Sequence, residues 1–570
     1  MFGKRADVWE RIISTPEWDV IVIGGGITGA GILREAARAG LRVLLVEQRD
    51  FAWGTSSRSS KMVHGGLRYL KQGQISVTLQ SVRERQNLLA EGEGLVTRLG
   101  FLMPMYEGER KLPYRIGLSI YDLMAMHWGH RQYTREEFAM LAPRISREGL
   151  EGGFYFEDAQ TDDARLVLRL LQEAIGDGGV AINYVRAEGL LKNEDGVCGV
   201  TLRDAESDQT VDAYARVVIN ATGAWVDKLR GEVGGEKHIR PLRGSHLIFP
   251  SWRFPVAQAV SFPHPHDGRP VFAFPWEGVT LVGTTDVDHD GDLNAEPRIS
   301  GEEVAYLLAA CNTQFPALDL TINDILSTYA GVRPVIGTGK ADPSKESRDH
   351  IVWLEDGLLS VTGGKLTTFR VIALDALKAA QSLLDGVEFN DDAPVFEPVE
   401  DDLETDILNE AERTRLLGRY GARAADLVCM AQDDELSPVP TTRTLWSELR
   451  WAARHEAVVH LDDLLLRRTR LGLLLPEGGL QHIERIRQLC QPELGWSDQR
   501  WDDEIARYRT LWQSHYSLPP RGSIPDWRIY AGSETETAKG GIRWSLVLAA
   551  VLLLIGLLWL RSSTKKVATE

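Results

Sequence analysis

The sequence predicts an α/β protein with a parallel sheet, an antiparallel sheet that caps it, a C-terminal all-α domain and a C-terminal membrane-spanning helix. Residues 19–23 form a short apolar run rich in β-branched residues, which is typical of a buried parallel strand. A glycine-rich loop at 24–29, a helical period to Ala39 and a second apolar run at 41–47 complete a βαβ unit. Far downstream, residues 544–560 carry no charge, which predicts the spanning helix.

Composition excludes several classes of protein. The chain has 570 residues, too many for one compact core, so two or three domains are expected. A net charge of -17 argues against nucleic acid as the main partner, because a phosphate backbone attracts a basic surface. The four cysteines are scattered without a CxxC pair, which favours a reducing compartment over disulfides or zinc.

Changes of pattern along the chain indicate the domain organisation. Residues 76–142 are predicted to be rich in helix, residues 241–285 alternate like short antiparallel strands, and residues 441–475 are strongly helical. We divide the chain into an oxidoreductase region at 18–395, a helical domain at 396–525, a linker at 526–543 and the spanning helix at 544–560. Within the first region, cofactor-binding segments at 18–75, 150–240 and 325–385 alternate with cap segments at 76–149 and 241–324.

The glycine loop is the strongest local signal of function. Gly24, Gly26 and Gly29 have the spacing that brings backbone N–H groups and a helix N-terminus to a pyrophosphate. Glu47 follows the second strand, where a carboxylate accepts hydrogen bonds from ribose hydroxyls. The alternative is a tight strand-to-helix turn without a ligand. The motif does not separate FAD from NAD, but its N-terminal position and a second small-residue turn, Ala221-Thr222-Gly223, favour FAD.

The apolar segment at 544–560 predicts membrane attachment. As a helix it spans about 25 Å at ~1.5 Å per residue, close to the hydrocarbon thickness of a bilayer. Trp544 and Trp559 lie at its two ends, where indole rings favour the interface. The alternative is a buried core helix. The first 20 residues do not resemble an export signal, so we expect an inner-membrane protein whose catalytic domains face the cytoplasm.

Several particular motifs occur along the chain, and the most specific is TSSRSSKMVHGGLRYL at 55–70. It is followed by RGSH at 243–246, GTTD at 283–286, GVRP at 331–334, GGKLTT at 363–368 and HEAVVHLDDLLLRRTRLG at 455–472. In content and order these motifs resemble those of one family, the FAD-dependent glycerol-3-phosphate dehydrogenases within the D-amino-acid-oxidase-like flavoproteins. The resemblance implies a Rossmann-like FAD domain of the glutathione-reductase/D-amino-acid-oxidase type. It also implies oxidation of glycerol 3-phosphate to dihydroxyacetone phosphate. The anchor favours a membrane quinone as electron acceptor, because quinones partition into the bilayer.

The resemblance also implies the site residues. The catalytic set is His246 as partner of the substrate hydroxyl, Arg333 beside the flavin, and Lys365, while Arg68, Tyr69, Arg348 and Thr368 bind the substrate. Cations suit a phosphate dianion. Together with the glycine loop, the expected contacts of FAD are Gly24, Gly26, Gly29, Glu47, Thr55, Ser56, Ser57, Lys61, His64, Gly65, Gly66, Ala221, Gly223, Gly364, Lys365, Leu366 and Thr367.

Alternatives stay open at each of these positions. Arg68 and Arg348 could form surface ion pairs, Tyr69 could be a core aromatic, and His64 could serve as the base instead of His246. The function could also be that of an oxygen-using oxidase, an amine-oxidising relative or an idle tethered flavoprotein. The oligomeric state is not fixed, and a homodimer is one possibility. No metal site is expected, because the calcium-like loop beginning at Asp286 has Pro297 at its twelfth position.

Overall fold

A computed structural model describes residues 2–67, 70, 74–337, 349–432 and 434–532 of the chain. The predicted substrate residues Arg68, Tyr69 and Arg348 and the apolar segment at 544–560 lie outside the described residues. Among the residues that are described, no helix is both long enough and apolar enough to cross a membrane. The membrane-spanning segment therefore stays a prediction.

Eight strands of the described chain form the first sheet, whose order is β17-β18-β10-β1-β2-β7, with β9 pairing with β10 and β8 pairing with β9. Strands β1, β2, β7, β10 and β18 pair in parallel, as their unbroken apolar sequences predict. The strands are β1 (Trp18–Ile23), β2 (Val43–Val46), β7 (Val180–Ile182), β8 (Val185–Asn193), β9 (Gly196–Asp204), β10 (Thr210–Asn220), β17 (His350–Glu355) and β18 (Leu358–Gly363).

A second sheet of ten strands has the order β15-β11-β14-β13-β12-β4-β6-β3, with β16 pairing with β11 and β5 with β6. Nearly all of its pairs are antiparallel, as expected for the cap. Its strands are β3 (Met62–Val63), β4 (Val96–Tyr106), β5 (Arg131–Tyr133), β6 (Leu150–Thr161), β11 (Ile239–Pro250), β12 (Ala259–Pro263), β13 (Pro270–Trp276), β14 (Val279–Gly283), β15 (Val287–Asp288) and β16 (Ser327–Ile336).

Helices cover the sheets and build the C-terminal part. Those of the first 400 residues are α1 (Arg5–Ser14), α2 (Ile27–Arg38), α3 (Ile75–Glu91), α4 (Lys111–Ala125), α5 (Arg135–Leu141), α6 (Asp163–Gly176), α7 (Val226–Glu232), α8 (Gly301–Gln314) and α9 (Phe369–Ala379). Those that follow are α10 (Glu410–Tyr420), α11 (Arg423–Met430), α12 (Trp446–His455), α13 (Leu471–Leu474), α14 (Ile483–Leu494) and α15 (Asp498–His515), with a π-helix at Asp463–Arg468.

Two expectations about organisation need correction. The stretch at 76–142 was expected to be rich in helix, but it also contains the long strand β4. The apolar residues around Phe101 fit a helix as well as a strand. Pairing with β6 stabilises β4, and that partner lies about fifty residues away, as in the register Leu102↔Tyr155. Strands β6 and β16 belong to the cap sheet, although the sequence-based boundaries placed them in cofactor-binding segments. Boundaries drawn from local patterns miss such strands because sheet membership is set by distant partners.

The C-terminal helices form the predicted helical domain, and this domain packs against the cap sheet. Phe101 and Phe156 of the cap sheet belong to one continuous hydrophobic core with Leu465 and Trp501 of the helical part. Burying a side chain of this size contributes about 1.5–3 kcal/mol. The helical part and the cap therefore stabilise each other.

Candidate functional site

A cavity of about 1980 Å³ opens where the carboxyl ends of four parallel strands meet. Gly24 follows β1, Glu47 follows β2, Ala221 follows β10 and Gly364 follows β18, and all four line the cavity. In an open parallel sheet, ligands bind outside these strand ends, where neighbouring connections diverge. Pockets for drug-sized ligands have volumes of roughly 300–1,000 Å³, so this cavity has room for an extended dinucleotide with a substrate beside it.

The glycine loop forms one end of the cavity, and each glycine has a physical reason. Gly24 has φ +116°, and a Cβ there would lie 2.6 Å from the Ala221 carbonyl oxygen. A Cβ on Gly29 would lie 1.9 Å from the Gly24 carbonyl oxygen, so Gly29 permits close packing of α2 and does not line the cavity itself. At Gly26 the nearest atom to a Cβ is Ser56 Oγ at 3.1 Å, and this residue does line the cavity.

Helix α2 presents its N-terminus at this loop. Its first turn contains no acidic residue, and the N-cap residue Gly26 has no side chain to cap the helix. The positive end of the helix dipole is therefore left for an anion. These features fit the pyrophosphate of FAD, which the loop amides and the helix N-terminus would hold.

Glu47 occupies the predicted position beyond β2. Its Oε2 accepts from the Gly25 amide at 2.7 Å, and its Oε1 accepts from the Arg49 amide at 2.9 Å. Burial raises the pKa of this carboxyl, and the two amide hydrogen bonds oppose that rise. A carboxylate has about four acceptor positions, so it can also accept from the ribose hydroxyls of the cofactor.

The segment at 55–66 forms a second wall, and its residues divide into two groups. Thr55, Ser56, His64 and Gly66 line the cavity, as predicted for FAD contacts. Ser56 Oγ also accepts from the Ile27 amide at 2.9 Å, which joins this wall to the start of α2.

Ser57, Lys61 and Gly65 are not among the lining residues. Lys61 is fully buried, and its Nζ donates to the Ser57 carbonyl at 3.0 Å and to Asp163 Oδ1 at 2.8 Å. The Gly65 amide donates to Asp158 Oδ1 at 3.0 Å. These three residues hold the wall from behind, so the structure gives them a supporting position instead of the direct contact that we expected.

Five more of the predicted cofactor residues also line the cavity. Ala221 and Gly223 line the cavity after β10, and Gly364, Leu366 and Thr367 line it after β18. Thr367 Oγ1 accepts from the His64 amide at 3.1 Å, so the two cavity walls are hydrogen-bonded to each other.

Cationic side chains also line the cavity. Arg333 lines it and is oriented by two contacts, Nη1 to Asp286 Oδ1 at 3.2 Å and Nη2 to Thr284 Oγ1 at 3.0 Å. Lys365 also lines the cavity, and its Nζ donates to Ser81 Oγ at 2.6 Å. Burial lowers the pKa of Lys365 to about 8.

His246 and Thr368 lie behind the cavity lining. His246 is buried and stacks on Tyr329 at 4.6 Å between ring centroids, with its Nε2 2.9 Å from Ser60 Oγ. Burial, with the positive charges of Arg333 and Lys61, holds the pKa of His246 well below its usual value. Ser60 lines the cavity, so its hydroxyl connects His246 to the cavity by a hydrogen bond. Thr368 is buried, and its hydroxyl donates to the Lys365 carbonyl at 3.4 Å.

Sequence reasoning missed two residues of this cationic set. Arg269 lines the cavity, and its Nη2 lies 2.9 Å from Asp286 Oδ2. Asp286 is buried and therefore joins Arg269 and Arg333 into one unit. In the sequence analysis Asp286 appears only in the GTTD motif and at the start of the calcium-like loop. The GTTD motif at 283–286 does not show which cations its carboxylate pairs with, because those partners are known only from the folded structure.

Metal ligation has no support in the part of the chain that the structure describes. There, no three His, Cys, Asp or Glu side chains are grouped so that they could hold a metal ion. His264, which precedes another histidine by two residues, has its Nε2 2.8 Å from the Tyr306 carbonyl oxygen.

Comparison with known proteins agrees with this site. Residues 19–370 match the family model described as FAD dependent oxidoreductase, and residues 384–501 match that of the C-terminal domain of alpha-glycerophosphate oxidase. A curated relative, aerobic glycerol-3-phosphate dehydrogenase of Staphylococcus aureus strain MRSA252, is 36% identical over 498 residues, which cover 82% of this chain and 89% of that protein. The chain belongs to the FAD-dependent glycerol-3-phosphate dehydrogenase family. FAD is therefore its cofactor, and the glycine loop and the wall at 55–66 are the elements that would hold it.

Solved structures extend the comparison to the fold. The glycerol-3-phosphate dehydrogenase of Bacillus halodurans, complexed with FAD, is similar with a TM-score of 0.72 and 29% identity, covering 90% of this chain and 96% of that one. The L-alpha-glycerophosphate oxidase of Mycoplasma pneumoniae with FAD bound has a TM-score of 0.54 at 19% identity and covers 68% of this chain and 100% of its own. The second likeness shows the fold alone.

Proposed function

We propose that this protein oxidises sn-glycerol 3-phosphate to dihydroxyacetone phosphate and passes the two electrons through FAD to a membrane quinone. The observation that carries the proposal is the set of cations in the cavity: Arg269 and Arg333 are fixed on one buried carboxylate, and Lys365 lines the same cavity. FAD supplies the hydride acceptor, and the protein supplies binding, orientation and a path for the proton.

The cations of the cavity support a phosphorylated substrate, because they offset the negative charge of the rest of the chain. The chain carries a net charge of -17, so a dianion is repelled at long range by most of the surface. Guanidinium groups bind phosphate through paired hydrogen bonds, and an ammonium adds a compact charge. Because Asp286 orients both arginines before the substrate arrives, less side-chain freedom is lost on binding.

Oxidation of the C2 alcohol releases a hydride and the hydroxyl proton. We propose that Ser60 takes that proton and passes it to His246 Nε2, which lies 2.9 Å from Ser60 Oγ. The lowered pKa of His246 keeps the ring neutral at physiological pH, which is the form that can accept a proton. A positive charge formed on this ring would be transient, since burial disfavours it.

The surface beside the cavity supports a quinone as acceptor. Tyr114 and Gly117 of α4 line the cavity, whereas Leu112 on the same helix is 65% exposed. Met126 and Trp128, which follow α4, are 94% and 69% exposed. We propose that this apolar surface lies against the cytoplasmic face of the inner membrane and that residues 544–560 anchor the chain there. Both features would bring a quinone to the cavity mouth.

The test of the substrate is reduction of the bound flavin without oxygen. Glycerol 3-phosphate should bleach the flavin absorbance, and glycerol, lactate and glycine at equal concentration should not. Equal reduction by glycerol or by an amino acid would refute the phosphate argument.

The acceptor is tested separately, by comparing a short-chain ubiquinone, a soluble dye and oxygen in membranes. Trp128→Glu should lower the rate with quinone and leave the rate with dye unchanged. Trp252→Glu is the matched control, because Trp252 is 81% exposed in a turn away from the cavity lining. Peroxide formed at the full turnover rate would favour an oxygen-using oxidase, the alternative that the match at 384–501 to an oxidase domain keeps open.

A further inference from the structure

Arg470, in the helical part of the chain, contacts the cofactor wall at 55–66. Arg470 follows the π-helix, and its side chain is buried. Its Nη1 donates to the Ser57 carbonyl at 3.2 Å, and its Nε donates to Asp162 Oδ1 at 2.8 Å. Its Nη2 also pairs with Asp163 Oδ1. One guanidinium thus contacts both the wall at 55–66 and the start of α6.

Asp163 extends this contact to the rest of the wall. Its Oδ2 accepts from the Ser59 amide at 3.0 Å and from Ser59 Oγ at 2.7 Å. Its Oδ1 accepts from Lys61 Nζ at 2.8 Å. Arg470 therefore holds residues 57, 59 and 61, one directly and two through Asp163.

The same short stretch faces the cavity with its other side. Ser56, Ser59 and Ser60 line the cavity, Ser57 and Lys61 are held from behind, and Ser59 does both. Moving the Ser57 carbonyl or the Ser59 amide would move the neighbouring lining groups as well, because consecutive residues share peptide planes.

Because the whole group is buried, losing any one of its charged partners is costly. Arg470, Lys61, Asp162 and Asp163 are all buried. Removing one partner from such a group leaves an uncompensated charge in a low-dielectric interior, which is strongly unfavourable. Arg470 therefore stabilises the wall in its cavity-lining form, although 413 residues separate Arg470 from Ser57.

We propose that Arg470 is a positioning residue for FAD: from the helical part of the chain it fixes residues 57–61, so that cofactor affinity depends on its contact with Ser57 and Asp163. The inference rests on FAD binding and not on which substrate is oxidised. The helical part thereby belongs to the cofactor site without touching the cofactor.

The test compares Arg470→Lys with Arg165→Lys. Arg165 is also fully buried and joins α6 to the helical part, but its Nη1 and Nη2 donate to Glu456 at 2.9 and 2.7 Å. Both variants should lower the melting temperature. Only Arg470→Lys should raise the Kd of the deflavinated protein for FAD, by at least about tenfold, measured by quenching of flavin fluorescence. Equal weakening in both variants, or none in Arg470→Lys, would overturn the proposal.

Asp163→Asn provides a second variant that keeps the side-chain shape, and it should weaken FAD binding in the same way. A measurement on the unaltered protein covers the case in which these variants do not fold. If FAD affinity depends on Arg470, binding must reciprocally stabilise that contact. Addition of FAD should then slow amide hydrogen exchange at residues 463–470 as well as at 57–61. Exchange at 463–470 that is indifferent to FAD would refute the coupling.

Discussion

Replacing Asp286 by asparagine should disable the cationic part of the cavity lining while leaving the fold intact. Asp286 accepts from Arg333 at 3.2 Å and from Arg269 at 2.9 Å, and its side chain is only 2% exposed. An asparagine of the same shape keeps one carbonyl oxygen but turns an NH₂ group toward the second guanidinium. One arginine therefore loses its partner and its orientation.

The size of the effect follows from the contact that is lost. A hydrogen bond to a charged group contributes about 1.5–3 kcal/mol, and 1.36 kcal/mol corresponds to a tenfold change in rate. A loss of about 2 kcal/mol in the transition state predicts that kcat/KM for glycerol 3-phosphate decreases roughly thirtyfold. KM should rise along with a lower kcat, because both arginines bind the phosphate and Arg333 is also expected beside the flavin.

The assay is anaerobic stopped-flow reduction of the flavin across a range of glycerol 3-phosphate concentrations. Asp288→Asn is the matched control, since Asp288 lies two residues away, is 47% exposed and pairs with Arg240 at 2.6 Å. FAD content and melting temperature should be close to those of the unaltered protein in the control. A kcat/KM within twofold for Asp286→Asn, or an equal loss in Asp288→Asn, would refute the reasoning.

Three further predictions concern the cofactor, pH and the tail. Gly26→Val should abolish FAD binding, because the side chain would occupy the pyrophosphate position, whereas Gly231→Val, with nothing within 4 Å of its Cβ, should purify yellow. With its pKa lowered to about 8, Lys365 loses its charge as pH rises through 8, so the KM for glycerol 3-phosphate should increase above that pH. Lys365→Arg should flatten this rise, and an unchanged profile in that variant would contradict the assignment. Removing residues 541–570 should preserve dye reduction and abolish carbonate-resistant membrane binding; a truncated protein that unfolds or stays bound would contradict the anchor.

The sequence by itself determined the cofactor loop and its supporting βαβ unit. Gly24 must adopt a positive φ, and Gly29 must let the Gly24 carbonyl approach closely, so these positions admit glycine and little else. Glu47 follows directly from the end of β2. Such features depend on residues that are neighbours along the chain or one βαβ turn apart, and a local pattern is sufficient to predict them.

The motifs at 55–70 and 363–368 predicted which segments meet at the site, but not the direction of each side chain. Lys61 was expected to contact FAD, and it instead lies fully buried against Asp163. His246 was expected at the substrate, and it lies behind Ser60. Side-chain direction along an irregular segment does not follow a helix or strand period, so the sequence could not separate lining residues from supporting ones.

Only the tertiary structure decided which charges pair and which face the cavity. Arg269 lines the cavity because Asp286, 17 residues on, holds it there together with Arg333. Arg470 supports the cofactor wall because α6 presents Asp162 and Asp163 to it, more than 300 residues earlier in the chain. A buried arginine is stable only beside a compensating carboxylate, and that partner is chosen by the packing of distant segments. For this reason the ends of strands and the spacing of glycines could be predicted from the sequence, whereas the charge pairs that shape the site could not.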